Sequence, residues 1–155
     1  MVKKVHMNSF ITHNQKETQE LGRQLAQKLT GGEVLCLEGE LGAGKTTFTQ
    51  GLLAELEVEG PYTSPTFLIM KEYEREIQNP KSKISNSKIR RIYHIDAYRI
   101  NEEDLLNLGW EEIINDKNNV VIVEWPDRVR KILPQTAMEI GFEWLDENQR
   151  KIMFT

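Results

Sequence analysis

The chain has 155 residues, 39% of them hydrophobic, with 20 basic and 24 acidic side chains and a net charge of −4. That length suits one domain over residues 1–155, which should bury roughly two thirds of its unfolded surface, and the mixed composition excludes a disordered chain. The acidic balance argues against a broad basic surface gripping nucleic acid unaided. Cys36 is the only cysteine, so neither an internal disulfide nor a cysteine metal cage can form, which suits a reducing, cytoplasmic setting. No run of 18 apolar residues is present, and neither a signal peptide nor a membrane anchor is expected.

Along the chain, "NSFITHN" reads as a short strand, and Asn14 starts a helix with Glu17 as its capping-box partner. Leu21, Leu25 and Leu29 line one face of that helix, which Gly31 and Gly32 end. "EVLCLEG" is a continuous apolar run and reads as a buried strand. A helix from Lys45 carries Phe48, Leu52, Leu53 and Leu56 on one side and is broken by Gly60-Pro61. Thr66 to Tyr73 is strand-like. The polar stretch after it, including residues 78–91, reads as a hairpin tip or solvated loop. "RIYHIDAYRI" is a strand ending near Asp96, and Asn101 starts one or two short helices. "NVVIVEWP" is a second buried strand ended by Pro126. "DRVRKILP" is at most a short helix, and the last twenty residues alternate as an antiparallel hairpin turning near Asp146 to Asn148. The predicted fold is α/β: a P-loop NTPase-like domain with a central, mostly parallel sheet flanked by helices, closed by an antiparallel C-terminal hairpin.

Gly39, Gly44, Lys45 and Thr46 carry the spacing G-x-x-x-x-G-K-[ST] between a buried strand and an amphipathic helix. Glycines let successive N–H groups point into one concavity, and the helix start presents free N–H groups and its positive dipole end. Lys45 supplies a point charge for β- and γ-phosphates, and the Thr46 hydroxyl is a hard ligand for Mg²⁺. Such a site needs an acid at a neighbouring strand end. Asp96 and Glu124 both qualify, although a strand-end carboxylate can also be a solvated cap. Thr63, Ser64 and Thr66 occupy the region where many P-loop proteins place a phosphate-sensing threonine, or form an ordinary loop. Trp125 is either a stacking or lid residue or part of the core. His94 reads as a packed strand histidine rather than a catalytic one. Arg99 reads as solvated, with a phosphate contact as the sharper alternative. The lysines of the 81–91 stretch read as a solvated tip, against a weak RNA or partner patch.

"GELGAGKTTFTQG", "SPTF", "YHIDAYRI", "LGWEEII" and "VVIVEWPDRV" resemble the bacterial TsaE (YjeE) family in order and spacing, from about Asn14 to about Phe142. The resemblance implies a small ATPase required for threonylcarbamoyladenosine (t6A) modification of tRNA. It implies that Glu40, Leu41, Gly42, Ala43, Gly44, Lys45, Thr46 and Thr47 bind ATP and Mg²⁺, with Thr46 as the magnesium hydroxyl. Asp96 and Glu124 match the family's acids, Trp125 its following tryptophan, and Thr66 its switch-like threonine; the adenine is expected near His13 to Thr18. Lys45, Asp96 and Glu124 are thus the expected catalytic residues, with Thr46 and Glu124 on the metal. The division of the direct metal contact between the two acids stays open. The implied partners are TsaB and TsaD, the latter transferring threonylcarbamoyl to adenosine 37 of ANN-decoding tRNAs while ATP hydrolysis resets the complex. tRNA would be held mainly by the partners. One departure is that "QNPKSKISNSK" is longer and more polar than a simple hairpin. Two other readings are a small-molecule P-loop kinase, disfavoured because no arginine-rich lid is evident, and a non-hydrolysing nucleotide-dependent scaffold.

Overall fold

The computed structural model describes residues 8–66, 68–76, 81–84 and 87–155. In chain order its elements are β1 (Asn8–Thr12), α1 (Gln15–Ala26), β2 (Val34–Glu38), α2 (Lys45–Glu55), β3 (Met70–Glu74), β4 (Arg91–Asp96), α3 (Glu102–Asn107) and α4 (Trp110–Asn115). They are followed by β5 (Asn119–Glu124), a short 3-10 segment (Pro126–Ile132), β6 (Met138–Trp144) and β7 (Arg150–Phe154). The seven strands form one sheet in the order β1-β7-β6-β2-β5-β4-β3. Its centre, β6-β2-β5-β4, is parallel. Both edges are antiparallel: β6 and β7 form the predicted closing hairpin with β1 added beside it, and β3 pairs with β4.

Side-chain alternation along the central strands divides the core in two. Leu35, Leu37, Ile92, Val120 and Ile122 face α1 and α2. Val34, Cys36, Ile95, Val121 and Val123 face α3, α4 and the 3-10 segment. A strand buried on both faces has no polar positions, which is why "VLCL" and "VVIV" read as unbroken apolar runs. Burial, with the nearby Glu139 carboxylate, pushes the Cys36 thiol up to about 12, so it is no nucleophile near neutral pH.

Asn14 caps α1 as expected, its Oδ1 accepting from Glu17 N at 2.9 Å. The Glu17 carboxylate reaches one residue further back than a capping box requires, to His13 N at 2.7 Å. That contact with His13 holds the Glu17 carboxyl below its usual range. Regular α1 stops at Ala26, short of the expected Leu29. Lys28 N and Leu29 N then bond back to Leu25 O and Ala26 O in tighter turns, and Leu29 remains in the core. α2 likewise ends at Glu55, before the Gly60-Pro61 breaker, with Glu57 in the left-handed region at φ 58°. β3 begins at Met70, not Thr66, because Leu68 N bonds to Pro65 O in a turn and Ile69 takes φ 62°. The stretch between β3 and β4 is the tip of an antiparallel pair, as expected, but its described part is not simply solvated. Ile89 is buried, Ile84 packs against the core, and Glu57 accepts from Lys83 N at 2.8 Å. Residues 77–80 and 85–86, part of the predicted loop, lie outside the described residues. The tip joins the N-terminal end of β4, so it sits at the opposite end of the sheet from Asp96.

α1 and α2 pack backbone to backbone. A Cβ on Gly22 would lie 2.2 Å from Phe48 O, and one on Gly51 would lie 2.0 Å from Gln19 O. Each obstacle is a carbonyl within a helix, so neither can yield cheaply. Gly51→Ala is therefore expected to destabilise the fold by about 1–3 kcal/mol. A lower urea midpoint checks this; an unchanged midpoint would mean that the helices part freely.

Candidate functional site

Parallel strands deliver their C-terminal ends to one edge of the sheet, and three of those ends meet here. Glu124 at the end of β5 is paired in register with Leu37 of β2 on one side and with Asp96 of β4 on the other. The segment Gly39 to Gly44 leaves β2 beside them and enters α2. Gly39 is required by packing, since a Cβ there would lie 2.6 Å from Phe142 O, and Gly44 by its φ of 107° at the N-cap of α2. With no side chain capping α2, the first-turn N–H groups remain available to an anion.

Lys45 is buried, and its Nζ donates to Gly39 O and lies 4.4 Å from the centre of the Trp125 ring. Burial pushes its ammonium below the usual lysine range, against the opposing pull of Glu124, Asp96 and Glu40. Glu124 is 3% exposed. Its Oε2 accepts from Ser64 Oγ at 2.9 Å and lies 3.6 Å from Nε2 of His94. Burial alone would raise the Glu124 carboxyl, but His94, Ser64 and Lys45 together outweigh it and hold the group below its ordinary value. Asp96 is half-buried and accepts from Tyr98 N at 3.0 Å.

Trp125 is half-buried and lines the cleft, so neither the core reading nor a free lid describes it. Its backbone is left-handed, φ 57° and ψ 53°, a conformation costing about 1–2 kcal/mol for a residue with a Cβ. The 3-10 segment on its C-terminal side holds it there. Pro126 is buried, and Arg130, paired with Asp127 of the same segment at 2.9 Å, ties the segment to Glu38 at 2.6 Å and to Glu139. The indole is thereby aimed at Lys45 on one side and at Tyr98, 5.1 Å between ring centroids, on the other.

Together these groups line a cleft of about 1070 Å³, large enough for a nucleotide-sized ligand. Glu40, Leu41, Gly42, Gly44, Lys45, Thr46 and Thr47 all line it. Ala43 is not among them: its methyl is buried in the core and its N–H donates to Glu40 O at 3.1 Å. Asp96, Glu124, Trp125 and Thr66 line the cleft, as do Arg99 and part of the expected adenine region, Asn14 to Lys16 and Thr18. His94 is buried, 1% exposed, as its strand position suggested. Sequence reasoning missed Arg150 at the start of β7, whose Nε donates to Gly42 O at 3.1 Å from the far wall. An arginine opening the last strand of a hairpin carries no local signal. Tyr98 was legible only as part of "DAYR".

The chain matches the family model described as "Threonylcarbamoyl adenosine biosynthesis protein TsaE" over residues 12–152. This chain belongs to the TsaE family. Among curated relatives it is 36% identical to the TsaE of Bacillus subtilis over 144 residues, covering 93% of this chain and 82% of the relative. It is 36% identical to the TsaE of Aquifex aeolicus over 148 residues, covering 94% of each. Both relatives are named tRNA threonylcarbamoyladenosine biosynthesis proteins. The fold superimposes on the crystal structure of Bacillus subtilis YdiB with a TM-score of 0.74 at 30% identity, covering 99% of this chain and 87% of that one. The TsaE match thus spans the glycine-rich segment after β2, both acids and Trp125 in one stretch.

Proposed function

We propose that this TsaE-family chain binds ATP with Mg²⁺ in the cleft and hydrolyses it, as an accessory to N6-threonylcarbamoylation of adenosine 37 in ANN-decoding tRNAs. The observation that carries the ATPase reading is the register pairing of Asp96 with Glu124 beside a glycine loop whose lysine faces both. The donor set fits the ion: Thr46 offers a hydroxyl and Glu124 a carboxylate, hard oxygens of the kind that complete a magnesium site together with substrate phosphates. Among the described residues no group of three or more His, Cys, Asp or Glu could hold a metal, so the phosphates must bring much of the coordination. Mg²⁺ would supply charge neutralisation at the β,γ-oxygens. The chain itself holds the phosphates on the N–H groups at the start of α2, places the Lys45 ammonium against them, and uses Glu124 to hold a water or the ion, with Asp96 as the second acid.

Work in an assembly with TsaB and TsaD, in the cytoplasm, completes the proposal. Leu41 is 95% exposed and Tyr98 50% exposed at the rim of the cleft, apolar surface that a partner would cover. The net charge of −4 suits a chain that leaves tRNA to those partners. No helix among the described residues is long and apolar enough to cross a membrane. ATP hydrolysis measured with the chain alone, then with TsaB, TsaD and tRNA, tests the reading. Stimulation by the assembly is expected. Hydrolysis that ignores the partners but appears with a small acceptor would replace it with the kinase reading, and ATP binding without turnover in the assembly would leave a scaffold.

Binding also has an optical consequence. A phosphate would draw the Lys45 ammonium from the face of Trp125, while one of its three N–H donors can stay on the Gly39 carbonyl. Tryptophan fluorescence is expected to change on adding ADP, and Trp125→Phe is expected to abolish the change although Trp110 and Trp144 remain. An unaltered response in that variant would place the nucleotide elsewhere.

A further inference from the structure

His94 is 1% exposed in the middle of β4, and among the described residues neither of its ring nitrogens has a hydrogen-bond partner. An unpaired buried imidazole N–H costs about 1–3 kcal/mol, so the placement calls for a physical reason. Its neighbour supplies one. His94 sits opposite Ile122 of β5 and two residues before Asp96, diagonal to Glu124 on the same face of the sheet. Its Nε2 points at Glu124 Oε2 from 3.6 Å, just beyond hydrogen-bonding distance. That oxygen is engaged instead by the Ser64 hydroxyl at 2.9 Å. The two donors differ in their support. His94 is locked in a central strand, while Ser64 belongs to the surface segment between α2 and β3, where Thr66 Oγ1 donates to Ser64 Oγ at 3.4 Å and both side chains line the cleft.

We propose that His94 is a positioning residue for Glu124. Its Nε2–H is the reserve donor, which takes over from Ser64 in keeping Oε2 turned into the sheet when Ser64 shifts around a ligand. The other carboxylate oxygen then stays directed at the cleft whichever donor is engaged. Without His94, departure of Ser64 would leave a buried carboxylate oxygen unserved, and the side chain would turn to find a partner. This inference rests on the ATPase reading for its kinetic consequence but not for the contact itself.

Two arms test it. In spectra of protein labelled with ¹⁵N-histidine, which carries three histidines, Glu124→Gln is expected to shift the His94 ring nitrogens without nucleotide present. An unmoved His94 signal overturns the contact. In the kinetic arm, measured with the full assembly, His94→Leu is expected to lower kcat about tenfold with KM for ATP unchanged. His94→Gln, which restores an N–H near the Nε2 position, is expected to regain most of that loss. Ser64→Ala alone should cost less, and combined with His94→Leu should cost more than the product of the two single losses. Equal rates for the Leu and Gln variants, or a simple product in the double variant, overturn the positioning role. If His94→Leu fails to fold, the Gln variant and the labelled spectra still decide. A wild-type chain that hydrolyses no ATP in the assembly defeats the proposed function, and the histidine spectra then judge the His94–Glu124 contact alone.

Discussion

Replacing Lys45 with alanine is expected to remove ATP hydrolysis, a loss of about 10²–10³-fold or more, while leaving the fold as stable as before. Both halves come from where the ammonium sits. It is a mostly buried cation whose burial disfavours its charged form, held by Gly39 O and the Trp125 face. Removing it relieves a desolvated charge at the cost of one hydrogen bond and a cation–π contact, terms of similar size. Turnover is expected to have no such compensation: Lys16 lines the side formed by the start of α1, and the Arg150 guanidinium that reaches the loop is held by Gly42 O, Asp146 O and Gln149 O. Steady-state hydrolysis and a thermal melt on the same sample check the pair of outcomes. Full retained turnover would sink the phosphate-loop assignment, and a large drop in melting temperature would show that Lys45 is chiefly structural.

Glu124→Gln is expected to lower kcat by about 10²-fold and to weaken binding of magnesium-ATP more than binding of metal-free ADP. Glutamine keeps the shape and can still accept from Ser64, so the change isolates the charge. Stability carries a second signature. The Glu124 carboxyl is held below its ordinary value of 4.5 in the folded chain. Its contribution is therefore fully present above that value and is lost as pH falls through the lower folded value. Wild type should exceed the glutamine variant in stability near neutral pH, with the gap closing below about pH 4.5. Urea midpoints across that range check it. A variant altered only in stability, with normal turnover, would remove Glu124 from the site.

The parts legible in the sequence were those fixed by local chemistry. The phosphate loop announces itself because glycine, lysine and threonine at that spacing have few other uses. β2 and β5 were readable because burial on both faces leaves a strand no polar positions, and Asp96 and Glu124 because each is the first acid after such a run. Element ends were less readable. α1 gave way to tighter turns after Ala26 and the Pro65–Leu68 turn delayed β3 to Met70, ends that the spacing of apolar residues does not mark. The same limit hid Arg150, 108 positions from its Gly42 contact, and the diagonal meeting of His94 with Glu124, which exists only once β4 and β5 are in register. Ala43, expected within the binding segment, has its methyl in the core.

The glycine contacts between α1 and α2 bear on how the cleft can change shape. Gly22 and Gly51 let two helix backbones touch, leaving no compliant side chains at those crossings to slide or compress. α2 begins at the glycine-rich loop and α1 at the expected adenine region, so a nucleotide bound as proposed would rest both its ends on a single stiff jaw. Adjustment to a ligand would fall to the facing wall, where Ser64 and Thr66 lie in the segment between α2 and β3 and Tyr98 and Trp125 just past the ends of β4 and β5. The cleft would then work as a vice with one fixed side, the acids held between the walls on the ends of the central strands.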